Sequence, residues 1–288
     1  MAEEAVQENK EAKKGKRQRI WEIDFLRGFA IFLMVIDHFF WDVKFLPQVF
    51  SNYPAIQNGM ILWLRDFSMD YWYHPARYAT HLVFAAIFFI LSGVSCVLSK
   101  NNFLHALKIL LAGALIDLVT YIAFWATGGS VDFRMIFNVL ISLGAGVLLI
   151  ALLNLIPMPK KARGFLYVGL GVALFVVCCV FDLYWIVDNE GGTAAFQPEL
   201  IFEYMMGFRM WGSDYFQLIP YLAYTLFGAG IGIFFYQEKK QSLLPKLDGK
   251  WNKPFCFIGR NTLWVYLSHQ VVLWIIIGGI CLILGYRF

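Results

Sequence analysis

IWEIDFLRGFAIFLMVIDHFFWD, residues Ile20–Asp42, is an apolar stretch with charged side chains near both ends. At ~3.6 residues per turn it predicts a single helix. One stripe of that helix would carry Asp24, Arg27, Ile31, Met34 and His38. Arg27 and His38 would then share a face at roughly 16 Å axial separation, at ~1.5 Å per residue. Because charge facing lipid is costly, the stripe predicts a protein partner or a water-filled cavity beside it.

The composition of the chain is that of an all-α, polytopic helical membrane protein. The 288 residues are 59% hydrophobic and 15% charged, with a mean hydropathy of +0.60, and a soluble protein of this length needs a more polar surface. Apolar runs near the ~20 residues of a membrane span are numerous. They predict about seven transmembrane helices, at residues 23–43, 78–99, 104–126, 135–156, 164–186, 216–236 and 261–284.

The distribution of Lys and Arg predicts the orientation of these segments. With the N-terminus inside, fifteen basic residues fall in inner loops or tails and six in outer ones. The positive-inside rule therefore predicts a cytoplasmic N-terminus. We interpret residues 1–19 as a disordered basic cytoplasmic tail and residues 20–288 as a single transmembrane domain. The net charge of +4 is better read as this topology signal than as a nucleic-acid footprint.

The five cysteines give no sign of a metal site. They lie in or beside apolar runs, and neither CxxC nor another metal-ligand spacing occurs. Buried free thiols are the simpler interpretation, and no metal is expected.

A polar group is predicted at the outer ends of the first two spans. His38 lies at the outer end of the first, and His74 and His81, seven residues apart, flank the start of the second with Arg77 between them. Pro75 predicts the first helical turn, which leaves His74 just outside it. A direct role of these histidines and an interfacial position without chemistry are the two competing interpretations. Asp37 and Asp70 add carboxylates at the same outer surface.

A second polar group is predicted at the inner surface. Asp24 and Arg27 form an i, i+3 pair, and Arg260 and Asn261 open the last span on the same side. Helix N-termini favour anions, so Arg27 and Arg260 could hold a phosphate-bearing ligand. His269, about two turns into that span, indicates a polar cavity rather than lipid contact.

Three stretches resemble the bacterial branch of the heparan-α-glucosaminide N-acetyltransferase catalytic-domain family, a group of transmembrane acyltransferases. RIWEIDFLRGFAIFLMVIDHF resembles the family's opening span, with an Asp three residues before Arg-Gly. HLVFAAIFFILSGVSC (81–96) is similar to its second span, and FIGRNTLWVYLSHQVVL (257–273) to its closing span. One departure is Ile141, which stands where many relatives carry His or Gln in the middle span.

The resemblance implies transfer of an acetyl group from cytosolic acetyl-CoA to an acceptor across the membrane. By position, His38 matches an Asn and His74 a His that are implicated in transfer in lysosomal relatives. We therefore predict His74, His38, Arg77 and Asp37 as catalytic residues. Arg27, Arg260, Asn261 and His269 are predicted to bind the donor, and His81 and Asp70 the acceptor.

The predicted partners follow from that activity. They are acetyl-CoA, an extracytoplasmic sugar or glycan and the lipid bilayer of a bacterial cell membrane, with a homodimer also compatible and nucleic acid not expected. A small-solute transporter with no acyl transfer is the main alternative, although no internal repeat supports it. A structural partner with degenerate chemistry is a third hypothesis, and Ile141 is the one residue that favours it.

Overall fold

The computed structural model describes residues 19–129, 132, 134–183, 196–237 and 241–288. Over these residues every regular element is helical, which confirms the all-α prediction. The ten α-helices are α1 Trp21–Val49, α2 Gly59–Trp72, α3 Pro75–Leu98, α4 Asn102–Ala126, α5 Val139–Leu153, α6 Lys160–Val180, α7 Ile201–Met206, α8 Tyr221–Ile231, α9 Lys253–Arg260 and α10 Thr262–Ile283. A π-helical turn, Gly232–Tyr236, continues α8.

Each of the seven predicted apolar segments overlaps one of these helices. Four of the described helices, α3, α4, α6 and α10, are long and apolar enough to cross a membrane. α5 and the continuous α8 and π turn are apolar but shorter. α1 is 29 residues long and carries six charged side chains. The number seven and the cytoplasmic N-terminus therefore stay predictions.

The contacts divide the chain into two compact units. Unit 1 comprises Met1–Phe84 and Lys240–Phe288, and unit 2 comprises Ala85–Lys239. The single-domain interpretation of residues 20–288 stays a prediction. The predicted disordered tail lies, apart from Arg19, outside the described residues.

In unit 1, α1 and α9 touch backbone to backbone at two glycines. A Cβ atom on Gly28 would lie 1.8 Å from the carbonyl oxygen of Phe255, and one on Gly259 would lie 1.8 Å from that of Asp24. No side chain fits at either position, since interhelical contact this close requires the smallest residue. The contact brings together the two arginines that adjoin these glycines in the sequence.

We expect Gly28→Ala to destabilise unit 1, because the added methyl group forces α1 and α9 apart. The expected loss is about 1–3 kcal/mol, the usual cost of overpacking, and it would appear as a lower thermal unfolding midpoint in detergent. Gly279→Ala is the matched control, since a Cβ there meets nothing within 4 Å. The control should be neutral or slightly stabilising. Equal midpoints for the two variants would contradict the close contact.

α10 runs parallel to α1, because residues later in α10 contact residues later in α1. His38 meets His269, and one turn further Asp42 accepts a hydrogen bond from Gln270. Beyond them the helices share an apolar cluster formed by Val43, Leu46, Phe50, Tyr53, Ile61, Ile277, Cys281 and Tyr286. The polar pairs therefore lie between α1 and α10, and the apolar cluster packs the C-terminal ends of these two helices together.

In unit 2, α3 and α8 also approach through glycines. A Cβ atom on Gly93 would lie 1.9 Å from the carbonyl oxygen of Thr225, and one on Gly228 the same distance from that of Ile90. These glycines therefore serve close helix packing.

Asp117, a carboxylate within the third predicted span, has its partner at the start of α5. Asn138 caps α5 by accepting from the backbone N–H groups of Leu140 and Ile141. Its amide nitrogen donates to Asp117 Oδ1 at 2.6 Å and to the carbonyl oxygen of Gly113 at 3.0 Å. The cap of α5 thus provides a hydrogen bond to the half-buried carboxylate of Asp117.

The two long predicted outer loops contain further helices. Residues 45–77 include the last turn of α1 and the whole of α2, whose start is capped by Asn58 accepting from Ile61 N. In the second loop, a 3-10 helix at Pro198–Leu200 is followed directly by α7 at Ile201–Met206. Gly207, with φ of 91°, ends it.

All five cysteines are free thiols. Four are buried as predicted, and Cys179 is exposed.

Candidate active site

Asp37 on α1 gathers side chains from the two helices that follow it. Arg77 donates to both carboxylate oxygens, from Nε at 2.9 Å and from Nη2 at 2.6 Å. Tyr71 Oη donates to Oδ1 at 2.9 Å, and His81 Nδ1 lies 3.4 Å from Oδ2. We name these four residues the Asp37 cluster. A bidentate arginine fixes the carboxylate in position as well as neutralising it.

Aromatic packing holds Arg77 in this position. Its guanidinium carbon lies 3.5 Å from the centre of the Trp72 ring, and its side chain is 3% exposed. Stacking on a tryptophan face favours a cation that has lost its water. Burial, with the negative charge of Asp37, raises the pKa of Tyr71, so its hydroxyl remains a hydrogen-bond donor.

The next residue along α1, His38, faces a different helix. Successive residues point about 100° apart around a helix, so Asp37 faces α2 and α3 while His38 faces α10. The rings of His38 and His269 have their centroids 4.8 Å apart at an angle of 58°. We name these two residues the histidine pair.

The tautomer of His269 follows from its backbone partner. Its Nδ1 lies 2.5 Å from the carbonyl oxygen of Tyr266, and because a carbonyl only accepts, Nδ1 carries the proton. In the neutral ring Nε2 then presents a lone pair. That atom is buried and has no hydrogen-bond partner. A buried, unpartnered imidazole nitrogen is suited to take a proton or attack a carbonyl.

One turn beyond the histidine pair lies a buried carboxyl–amide contact. Gln270 Nε2 donates to Asp42 Oδ1 at 2.6 Å, and Asp42 is 1% exposed. Asp42 Oδ2 and Gln270 Oε1 are both buried acceptors without partners. Burying two acceptors without partners costs free energy, and a proton on the Asp42 carboxyl group would give it a donor that offsets this cost.

At the opposite end of α1, three arginines surround one carboxylate. Asp24 is buried, with Arg260 Nε 3.2 Å from its Oδ2 and with Arg27 and Arg19 at 3.9 Å. We name this set the arginine cluster. It carries more positive than negative charge, and the Arg260 side chain is 45% exposed. Asn261, beside it, donates to the carbonyl oxygen of Phe257.

The structure brings together most of the predicted site residues, but in different groups from those expected. Arg77 and His81 join Asp37, while His269 joins His38 instead of the inner arginines. His74 is exposed just before α3, and its Nδ1 accepts from the backbone N–H of Ala76 at 3.2 Å. It lies outside the Asp37 cluster. Asp70 is also exposed.

Sequence reasoning missed several members of these groups. Tyr71 and Trp72 were treated as loop residues, although the Asn58 cap and the apolar residues after it signal α2. Gln270 was passed over because an uncharged amide in an apolar helix attracts little notice. Among the described residues, no group of three or more His, Cys, Asp or Glu side chains could hold a metal ion.

Comparison with known proteins adds one finding. Residues 19–271 match the family model described as heparan-alpha-glucosaminide N-acetyltransferase, catalytic. The chain matches no curated protein and no solved structure. The matched residues include the arginine cluster, the Asp37 cluster and the histidine pair.

Proposed function

The chain belongs to the heparan-α-glucosaminide N-acetyltransferase catalytic-domain family, and from that premise we propose that it transfers an acetyl group from cytosolic acetyl-CoA to an acceptor across the membrane. The observation that carries the proposal is the histidine pair. The buried Nε2 atom of His269 has no partner and lies between α1 and α10, and the arginine cluster lies at the start of α1, where Arg260 at the end of α9 meets Asp24. Membership of the family supports acetyl transfer by a membrane protein in general. The histidine pair and the arginine cluster support acetyl-CoA as the donor and transfer across the membrane.

The arginine cluster is suited to the donor. Coenzyme A carries phosphate groups, and arginine forks bind phosphate through paired N–H donors. Three guanidinium groups around one carboxylate leave a positive surplus, and Arg260 is open to solvent. With the N-terminus in the cytosol, as the positive-inside rule predicts, the cluster meets cytosolic acetyl-CoA.

The spacing along α1 suits a donor that reaches into the membrane. Arg27 and His38 are separated by roughly 16 Å of helix, which is about half of the ~30 Å hydrocarbon core. A donor held by its phosphates at the inner surface would carry its thioester toward the histidine pair.

We assign the proton-accepting or acetyl-accepting role to His269 Nε2, with His38 beside it. In direct transfer, the acceptor N–H or O–H gives its proton to the imidazole as its heteroatom bonds the acetyl carbon. The C–S bond breaks, and the CoA thiolate leaves and takes up a proton. In the two-step route, Nε2 bonds the acetyl carbon as the C–S bond breaks and the CoA thiolate leaves. The acceptor heteroatom then bonds that carbon, the bond from Nε2 to the carbon breaks, and the freed Nε2 takes the acceptor's proton.

In this proposal the Asp37 cluster holds α1 in a fixed position beside the histidine pair. The half-buried Asp37 carboxylate, to which Arg77 and Tyr71 donate, precedes His38 in the sequence and fixes the rotation of α1, and hence the direction of the His38 ring. His81, 30% exposed, together with exposed Asp70, is our candidate contact for the acceptor, which we take to be a sugar or glycan. His74 remains the alternative catalytic residue. A bacterial cell membrane is our proposed location.

The activity can be tested with purified protein in proteoliposomes. Radiolabelled acetyl-CoA is enclosed on one side and glucosamine or a glycan mixture is supplied on the other. We expect label on the acceptor, dependent on the acetyl thioester and accompanied by free CoA. Solute uptake that proceeds without acetyl-CoA, with no label transferred, would instead establish the transporter.

We expect Arg260→Gln to raise the KM for acetyl-CoA about tenfold with little change in kcat. Loss of one charge-assisted hydrogen bond to a phosphate weakens binding by about that factor. The matched control is Lys253→Gln, which removes an exposed positive charge at the start of the same helix. Steady-state kinetics over a range of acetyl-CoA concentrations measure both. An unchanged KM in Arg260→Gln would remove the arginine cluster from the donor site.

A further inference from the structure

A polar cavity of about 390 Å³ lies within unit 2, apart from the groups described above. It opens among helix ends: the last residues of α3 and α5, the end of the π turn that continues α8, and the first residues of α4 and α6. The side chains that matter here are Lys100, Asn102, Asn154, Arg163 and Tyr167. We name it the basic cavity. Because these five helix ends lie together, the cavity sits where the apolar parts of unit 2 finish.

The lining of the basic cavity is positively charged. Lys100 and Arg163 contribute two cations, and none of the described residues that line it is Asp or Glu. The neutral polar groups around them include the amides of Asn101, Asn102 and Asn154 and the hydroxyl of Ser99. A cavity with two cations and no carboxylate favours an anion.

Part of the hydrogen-bonding capacity of this lining is already used. Asn102 Nδ2 donates to the carbonyl oxygen of Cys96 at 2.9 Å, and Arg163 Nη2 to that of Ile156 at 3.1 Å. Tyr167, which is 1% exposed, donates to Asn154 Oδ1 at 2.8 Å. These bonds fix the directions of the Asn102, Arg163 and Tyr167 side chains. Because the oxygen of Asn154 already accepts from Tyr167, the amide nitrogen of Asn154 is the group that can donate to a ligand.

Two buried atoms of the same lining lack partners. They are Arg163 Nε, a donor, and Asn102 Oδ1, an acceptor. A buried polar atom without a partner is costly, and a bound ligand or water repays that cost. The unpartnered guanidinium donor lies in the wall of an accessible cavity and is held by a bond to a neighbouring helix end.

We infer that the basic cavity binds a phosphate group. Phosphate takes several donors at once, and a guanidinium, an ammonium and an amide converge here. The position at helix ends matches the level of lipid headgroups, where basic pockets between membrane helices hold anionic lipids. Two sources share this chemistry, a phospholipid headgroup and a soluble phosphate compound, and the test below separates them. The inference does not depend on the proposed acetyl transfer.

The test measures binding of two probes to the purified full chain in a neutral detergent. Native mass spectrometry counts retained phosphatidylglycerol molecules, and calorimetric titration follows inorganic pyrophosphate. The variant Lys100→Gln/Arg163→Gln removes both cavity cations. The control Lys108→Gln/Lys161→Gln removes two exposed charges, one from α4 shortly after Lys100 and one from α6 beside Arg163, and neither residue lines the cavity. We expect the cavity variant to bind at least about tenfold more weakly and the control to bind like the original chain.

A second variant guards against misfolding of the first. Asn154→Asp keeps the acceptor for Tyr167 and the side-chain shape, and it replaces the amide nitrogen with a charged oxygen. It should also lose the probe while retaining helicity. Loss of phosphatidylglycerol alone identifies a lipid headgroup site, and loss of pyrophosphate alone identifies a soluble phosphate site. If neither probe binds, or if the cavity variants and the control lose binding equally, the inference is overturned.

Discussion

Replacing His269 with Asn is expected to reduce acetyl transfer by about 10²–10⁴-fold, the usual contribution of a positioned acid–base group. Asn is the most selective substitution, because its amide nitrogen can occupy the position of Nδ1 and donate to the carbonyl oxygen of Tyr266. The substitution therefore keeps the local hydrogen bond and deletes only the reactive Nε2. The measurement is the initial rate of label transfer from acetyl-CoA, with unfolding midpoint and helicity as checks on the fold.

The other histidines make the experiment selective. His38→Asn removes the second ring of the pair and should also cause a large loss. His105→Gln changes an exposed histidine on α4 and should leave the rate unchanged. His74→Gln discriminates between the two site assignments. A loss in His74→Gln with full activity in His269→Asn would move the chemistry to the surface histidine and refute the role given to the pair.

Breaking the ion pair of Arg77 with Asp37 should have the largest effect on stability. Arg77→Met leaves a carboxylate with 15% of its side chain exposed and without its bidentate partner. Removing one member of a buried pair costs about 3–5 kcal/mol, because the remaining charge is stranded. We expect a lower unfolding midpoint in detergent, together with a fall in activity, since the turn of α1 that carries His38 loses its anchor.

A double substitution tests whether the cost arises from the stranded charge. Asp37→Asn/Arg77→Met removes both charges and should recover part of the stability lost in Arg77→Met alone. Arg209→Met is the matched control, since Arg209 forms an ion pair with Glu203 in which both side chains are well exposed. Its cost should stay within about 1 kcal/mol. An equal loss in Arg77→Met and Arg209→Met would show that the Asp37 cluster does not hold the fold.

Much of the helical organisation follows from the sequence because lipid imposes a simple rule. Backbone groups in a bilayer must bond within their own segment, so a long apolar run predicts a helix. Pro75 likewise predicts the start of α3, because its ring suits the first helical turn, and the structure begins α3 there. The intrahelical pair of Asp24 and Arg27 is local too, and it is present.

The candidate site was less predictable, because its contacts join residues far apart in the chain. The sequence indicated that His38 needs a partner but not that the partner is His269, which lies more than 200 residues later. Asp117 likewise bonds Asn138, the cap of α5, which lies on a different helix. His74 and His81 were expected together from their spacing alone, but one precedes α3 and the other faces Asp37 from within it.

What the sequence determined by itself is therefore the helical class, the position of the apolar helices and the stripe on α1 that could not face lipid. These depend on hydropathy and on contacts within a turn or two, where chain connectivity fixes the geometry. Only the tertiary structure decided which side chain contacts each polar group on that stripe. The backbone contact at Gly28 and Gly259 holds α9 against α1, and the contacts of His269 and Gln270 hold α10 beside α1. That register places one arginine beside Asp24 and one histidine beside His38, because a helix packed along another presents its side chains at fixed intervals.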